Sequence, residues 1–173
     1  MKQYMILTCV GKDRPGIADD VSTLLFEHHA NIEDSRMAVM GGRFSVMILF
    51  SCTKDQLKKI RVDMNRLEKV GLEVSLHEAD DPASQKAEPA LPLIVEVTAM
   101  DHPGIVQKVV RILRSYDVNV LALNTQVSQA PLSGAPLFNL DLEAAVPAGT
   151  PISQVKAVLE DLAADMNLDL VFR

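Results

Sequence analysis

Two short stretches carry residue types that could do chemistry. Asp13-Arg14-Pro15-Gly16-Ile17 and Asp101-His102-Pro103-Gly104-Ile105 each follow an apolar run and lead into a helical pattern, and an asparagine, Asn31 or Asn119, comes 15 residues after each glycine. A helix start exposes unpaired backbone N–H groups and a partial positive charge. That suits a small anion such as an amino-acid carboxylate, at about 0.3 to 1 kcal/mol for an exposed contact. Gly16 and Gly104 leave room for close approach. The asparagine amides offer two donors and an acceptor, enough to hold a carboxylate or an ammonium, and Asp13 or Asp101 could complement the ammonium. Asp and Pro are also ordinary helix-start residues and Asn an ordinary turn residue, so one such turn alone would say little. Two in the same register say more.

The register extends well beyond the turns. Asp13, Pro15, Gly16 and Ile17 match Asp101, Pro103, Gly104 and Ile105 at an offset of 88 (101 − 13), and Ile17, Val21, Leu24, Leu25 recur as Ile105, Val109, Ile112, Leu113. These positions form one stripe of an amphipathic helix, with Pro15 and Pro103 expected at the first helical position. Asn31-Ile32 recurs as Asn119-Val120 in the same frame. A second helix is expected in each half, from Leu57, Ile60, Met64, Leu67 and from Ile152, Val155, Leu159, Leu162, now offset by 95 (152 − 57). The seven extra residues are expected in Ser128–Pro136, opposite Gly41-Gly42, which reads as a two-residue hairpin turn.

The remaining segments alternate or run apolar as strands do: Tyr4–Val10, Ile32–Met40, Arg43–Phe50 and Leu72–Leu76, then Leu93–Thr98, Val118–Val127, Leu137–Glu143 and Leu168–Phe172. The order β-α-β-β-α-β, found twice, predicts an α+β chain of two tandem ferredoxin-like units, each an antiparallel four-stranded sheet with two helices on one face. Residues 80–90, polar, proline-containing and without periodicity, read as a linker between a domain over 1–79 and one over 91–173.

Composition excludes several functions. The chain has 173 residues, 48% hydrophobic, and a formal charge of −6 with no basic block, which argues against direct nucleic-acid binding. No apolar stretch reaches the roughly 18 residues needed to cross a bilayer and Met1-Lys2-Gln3 runs straight into a strand, so no membrane partner and a cytoplasmic location are expected. Cys9 and Cys52 sit inside apolar runs and read as buried thiols. His28-His29 reads as a helix end, Lys58, Lys59 and Arg61 with Asp55 and Asp63 as a mixed solvated face, and Met37, Met40 and Met47 as core filler. Ser35 has no histidine near it, and no catalytic or metal-ligand pattern is present, so neither a reaction nor a metal is expected.

The β-α-β-β-α-β order, with Asp-Arg-Pro-Gly-Ile between first strand and first helix and Asn-Ile opening the second strand, resembles the ACT domain, a small regulatory module that binds amino acids. More narrowly, "GKDRPGIADDVSTLL" followed by "NIEDSRMAVMGGRFSVMILFS" is similar to the glycine cleavage system transcriptional repressor family, tandem ACT proteins without a DNA-binding domain. The second half departs from that pattern, with His102 at the place of Arg14 and Val-Leu-Ala-Leu-Asn after Asn119. The resemblance implies a non-catalytic regulator of glycine metabolism that takes an amino-acid effector and no other cofactor, and holds a transcriptional activator through protein contact. It implies ligand contacts at Asp13, Arg14, Pro15, Gly16, Ile17, Asn31 and Ile32 and at Asp101, His102, Pro103, Gly104, Ile105 and Asn119. ACT units pair side by side or sheet to sheet, so a homodimer is expected. The other reading is a regulatory ACT module or subunit acting on a metabolic enzyme, as in formyltetrahydrofolate deformylase, which has a similar turn.

Overall fold

The computed structural model describes residues 2–84, 89–131 and 133–173. The chain divides into two compact units, Met1–Lys86 and Ala87–Arg173. In the first, strand β1 (Lys2–Lys12) leads to helix α1 (Ile17–Glu27), β2 (Asn31–Met40), β3 (Arg43–Thr53), α2 (Lys54–Asp63), α3 (Asn65–Lys69) and β4 (Leu72–Ala79). In the second, β5 (Ala90–Met100) leads to α4 (Ile105–Ser115), β6 (Asn119–Gln129), β7 (Pro136–Pro147), α5 (Ile152–Met166) and β8 (Asp169–Phe172). The sheet orders are β2-β3-β1-β4 and β6-β7-β5-β8, with every pairing antiparallel.

The period-2 and period-3.6 patterns explain both cores. Met5, Leu7 and Cys9 on β1 share one face with Val46, Ile48, Phe50 and Cys52 on β3, and all are buried. Ile17, Val21, Leu24 and Leu25 of α1 and Leu57, Ile60 and Leu67 of α2 and α3 close over them. Leu93, Val95, Val97 and Ala99 with Phe138, Leu140, Leu142, Ala144 and Val146 do the same beneath α4 and α5. Each fully buried aliphatic side chain contributes about 1.5 to 3 kcal/mol, so the pairing frame cannot slip by one residue without exposing a whole face.

Several details depart from the sequence pattern. Pro15 and Pro103 are not the first helical residues. Gly16 (φ +91°) and Gly104 (φ +102°) stand between them and the helix as left-handed caps, which makes each Pro-Gly pair the centre of a type II-like turn and starts the helix at the isoleucine. The second helix of the first unit breaks at Met64 into α2 and α3. Gly41 and Gly42, at φ +57° and +74°, form the expected tight hairpin, closed by Met40 opposite Arg43. The matching connection in the second unit runs from Gln129 to Pro136. It does not hold all seven extra residues: Asn31 pairs with Ser51 and Asn119 with Ala145, an offset of 94 (145 − 51), so one of the seven lies beyond that pairing, before α5.

Ala90, expected in the linker, is already paired with Pro147 as the first residue of β5. Pro82–Ser84 forms a 3-10 turn, and residues 85–88 of the expected linker lie outside the described residues, as does Leu132 of the longer hairpin loop. Met37, Met40 and Met47 are not core filler. They are roughly half or more exposed, because β2 is an edge strand and Met47 projects from the face of β3 opposite the helices. Both cysteines are unpaired and buried, and burial pushes the Cys9 thiol up to about 11. His28 ends α1 as expected, its Nε2 lying 2.9 Å from Asp63 Oδ2. Among the described residues no helix is long and apolar enough to cross a membrane.

Candidate functional site

Each β-to-α turn is held at one end of its sheet by the neighbouring hairpin. The Asp13 N–H donates to Gly42 O at 3.0 Å, and the Asp101 N–H to Pro136 O at 3.1 Å. Ile17 and Ile105 are buried and pin the turns to the cores, so only their backbones can meet a ligand. No side chain caps α1 or α4, whereas α2 carries a full capping box in which the Gln56 N–H donates to Thr53 Oγ1 and the Thr53 N–H to Gln56 Oε1. The two glycine-led starts therefore keep first-turn N–H groups that no capping side chain takes, which is the chemistry an anion needs.

The two turns differ in charge. Arg14 folds back over its own helix start, its guanidinium donating to Asp20 Oδ2 at 2.7 Å and to Pro15 O at 3.3 Å. Asp19 lies beside Asp20 in the first turn of α1, while the first turn of α4 has no acid and carries Lys108. His102 brings its Nδ1 to 3.2 Å from Pro103 O.

The asparagines sit elsewhere. Asn31 pairs with Ser51, and Ser51 with Tyr4 near the start of β1, while the turn follows Lys12 at the other end of that strand. At about 3.3 Å per residue, Tyr4 and Asp13 are on the order of 30 Å apart. The second unit repeats this, with Asn119 across from Ala145 and Ala145 across from Pro92. Within a unit the structure thus does not bring the turn and the asparagine together. The constant 15-residue spacing is the length of chain needed to run along the helix and re-enter the sheet at its far end.

What gathers around Asn31 was not apparent from the turn motif. The pairing of β2 with β3 shifts between Ile32 and Asp34, a bulge that leaves Glu33 without a ladder partner opposite it. The Glu33 carboxylate accepts from Ser51 Oγ at 2.5 Å and from Lys2 Nζ at 3.0 Å. The Ser51 hydroxyl, the Lys2 ammonium and the Asn31 amide together hold the Glu33 carboxyl down at about 2. Ser51 is the one buried polar side chain among the described residues. Beside this cluster an open cavity of about 480 Å³ lies between α1 and β2, with Thr23, Phe26, Ala30, Asn31 and Ile32 in its wall. In the second unit the bulge recurs between Val120 and Ala122, but the residue in it is Leu121, and the position of Ser51 is taken by Ala145. The signal for this cluster was present as a difference between repeats, Glu33 against Leu121 and Ser51 against Ala145, visible only once β3 is aligned at its own offset. Among the described residues no group of three or more His, Cys, Asp or Glu is placed to hold a metal ion.

Comparison with known proteins bears on both units. The ACT domain pattern matches residues 3–77. Over 168 residues the chain is 23% identical to the glycine cleavage system transcriptional repressor of Escherichia coli strain K12, covering 96% of this chain and 87% of that protein. A UPF0237 protein of Methanopyrus kandleri is 32% identical over 78 residues, 43% of this chain and 87% of its own length. The crystal structure of an unknown protein from Galdieria sulphuraria superposes with a TM-score of 0.83 at 27% identity, covering 100% of this chain and 98% of that one. The matched pattern spans the first unit, which is an ACT domain, and the second unit repeats its element order, its glycine-capped turn and its bulged strand, so the chain is a tandem pair of ACT-like ferredoxin folds.

Proposed function

We propose that this chain is a non-catalytic regulatory protein that senses a small amino acid such as glycine and acts through protein contact on a transcriptional regulator of glycine metabolism. The observation that carries this reading is the similarity to the Escherichia coli repressor, which runs through both units and covers nearly all of both proteins. The uncapped starts of α1 and α4 support a carboxylate contact, and Asp13, Asp101 and the Asn31 and Asn119 amides supply groups for an ammonium. An amino acid is far shorter than the sheet, so it meets either the turn or the asparagine of a given unit, and the two ends call for separate variants. For a regulator, tight binding alone is insufficient. The ligand must favour one conformation or partner-bound state over another.

A net charge of −6 is consistent with a protein partner in place of nucleic acid, and a homodimer is part of the proposal. The test is calorimetry of the intact chain with glycine, serine and alanine, followed by affinity capture in the presence and absence of whichever binds. Ligand-dependent recovery of a transcriptional regulator supports the reading. No binding of any of the three, or recovery of a metabolic enzyme in place of a regulator, overturns it.

A further inference from the structure

In the first unit, opposite charges line a second cavity without closing on each other. It measures about 210 Å³ and lies between α1 and α3, with Asp19, Asp20 and Thr23 on one side, Arg66 on the other, and the buried Leu24 and Leu67 beneath. The break of the second helix at Met64 supplies the far side. There α3 begins as a separate short helix, and its Arg66 reaches across to α1, where Nη1 donates to Glu27 Oε2 at 2.5 Å. The other nitrogens of that guanidinium have no hydrogen-bond partner among the described residues. Asp20 is held at 2.7 Å by Arg14, which is not in the wall, and the Asp19 carboxylate has no partner among the described residues. The larger cavity beside Asn31, by contrast, has no charged side chain in its wall. At about 30 Å³ per water, the smaller one has room for a molecule of several heavy atoms. A free carboxylate, a guanidinium with unused donors and an aliphatic base complement an ammonium, a carboxylate and a short apolar side chain. We propose that this cavity is a separate ligand site for a small aliphatic α-amino acid such as valine, with the ammonium on Asp19, the carboxylate on Arg66 and the side chain against Leu24 and Leu67. The site goes beyond the sensing of glycine at the turns or the asparagines and stands independently of it. The second unit does not repeat it. The positions of Asp19, Asp20 and Arg66 are held there by Gln107, Lys108 and Asp161, and α5 runs unbroken from Ile152 to Met166.

Titration of the full chain with L-valine, followed by nitrogen-15 spectra and calorimetry, tests the site. Valine should shift the backbone amides of Thr23, Arg66 and Leu67 saturably. The analogues 3-methylbutanoate and 2-methylpropylamine, each lacking one of the two charges, should bind about fivefold more weakly or worse. Asp19→Asn and Arg66→Met, both at exposed positions and each first confirmed to melt cooperatively, should weaken valine by a similar factor. Glu27→Met removes the ion-pair partner of Arg66 and keeps the guanidinium, so it should retain valine binding. Equal losses in Glu27→Met and Arg66→Met overturn the direct contact and leave Arg66 a structural role. An analogue that binds as tightly as valine overturns the zwitterion assignment. Absence of saturable shifts at the three amides, or valine binding unchanged in both Asp19→Asn and Arg66→Met, overturns the site itself. Glycine held at a turn or an asparagine would be read at Gly16 or Asn31, so each of the two readings can fail without the other.

Discussion

The asparagine ends of the two units have the same backbone and opposite chemistry. Both open the second strand of their unit with an asparagine, both bulge two residues later, and both pair that asparagine across to the hairpin strand. In the first unit the bulge residue is an ionised Glu33 whose carboxylate accepts from Ser51 and Lys2. In the second it is an exposed Leu121 over Ala145. The charges on the adjacent helices also invert, with Asp19, Asp20 and Glu27 on α1 against Lys108, Arg111 and Arg114 on α4. A fold dictated by buried parity leaves these exposed positions free to diverge, so a duplicated unit can keep its architecture while only one copy keeps a polar constellation.

The largest effect that could break this comparison lies in the cores. Phe50 and Ala144 occupy matching places, each paired with the inward residue of the central strand, Met5 and Leu93. Phe50→Ala, which makes the first unit like the second at that point, should cost about 3 to 5 kcal/mol in chemical denaturation, because the neighbours of Phe50 are shaped around a ring and cannot close the cavity. A cost under about 1 kcal/mol would mean that the two cores are interchangeable. Next is the asymmetry in binding. Asn31→Ala should weaken glycine by roughly ten- to a hundred-fold, from the loss of about 1.5 to 3 kcal/mol of hydrogen bonding to a charged group, and Asn119→Ala should change it much less. Equal losses in calorimetry would erase the proposed difference between the ends.

The turns, by contrast, should behave alike. Gly16→Ala and Gly104→Ala should each cost about 1 to 2 kcal/mol of stability from the left-handed backbone alone, since a Cβ at Gly16 would meet only the Arg14 guanidinium at 3.7 Å and at Gly104 nothing within 4 Å. A loss of glycine affinity beyond that strain, in one variant and not the other, would show which turn a ligand approaches. The smallest effect is a slope with pH. The Glu33 carboxyl sits at about 2 in the fold, below an ordinary value near 4.5, so its contribution to stability is complete above the ordinary value and is lost as pH falls through the window from about 4.5 to about 2. Denaturation midpoints measured across that window should fall less steeply in Glu33→Gln than in wild type, and equal slopes would mean that the Glu33 carboxylate is not held by the fold.

Much of this architecture was legible because burial writes itself into spacing. The helix stripe at Ile17, Val21, Leu24 and Leu25 is wholly buried, the Gly41-Gly42 hairpin has the predicted two-residue turn, and the repeat offset correctly matched Asn31 with Asn119. Where reading failed, it was over direction and edge. Pro15 looked like a helix opener because its fixed φ suits that place, but Gly16 at positive φ puts a turn between proline and helix. Met37, Met40 and Met47 looked like core because apolar residues in strands usually are, but edge strands and open sheet faces have no second layer to bury them.

The sequence by itself determined the two units, their element order and the register of the repeat, because hydrophobic periodicity is local and each period fits one kind of element. Only the tertiary structure decided the site. Lys2, Asn31, Glu33 and Ser51 are spread over fifty residues and three strands, and their meeting depends on antiparallel register and on one extra residue in β2. The same register sends the turn and the asparagine, both found by motif, to opposite ends of the sheet. Spacing along a chain measures contour length, and a helix between two strands turns fifteen residues of contour into a passage from one end of the sheet to the other.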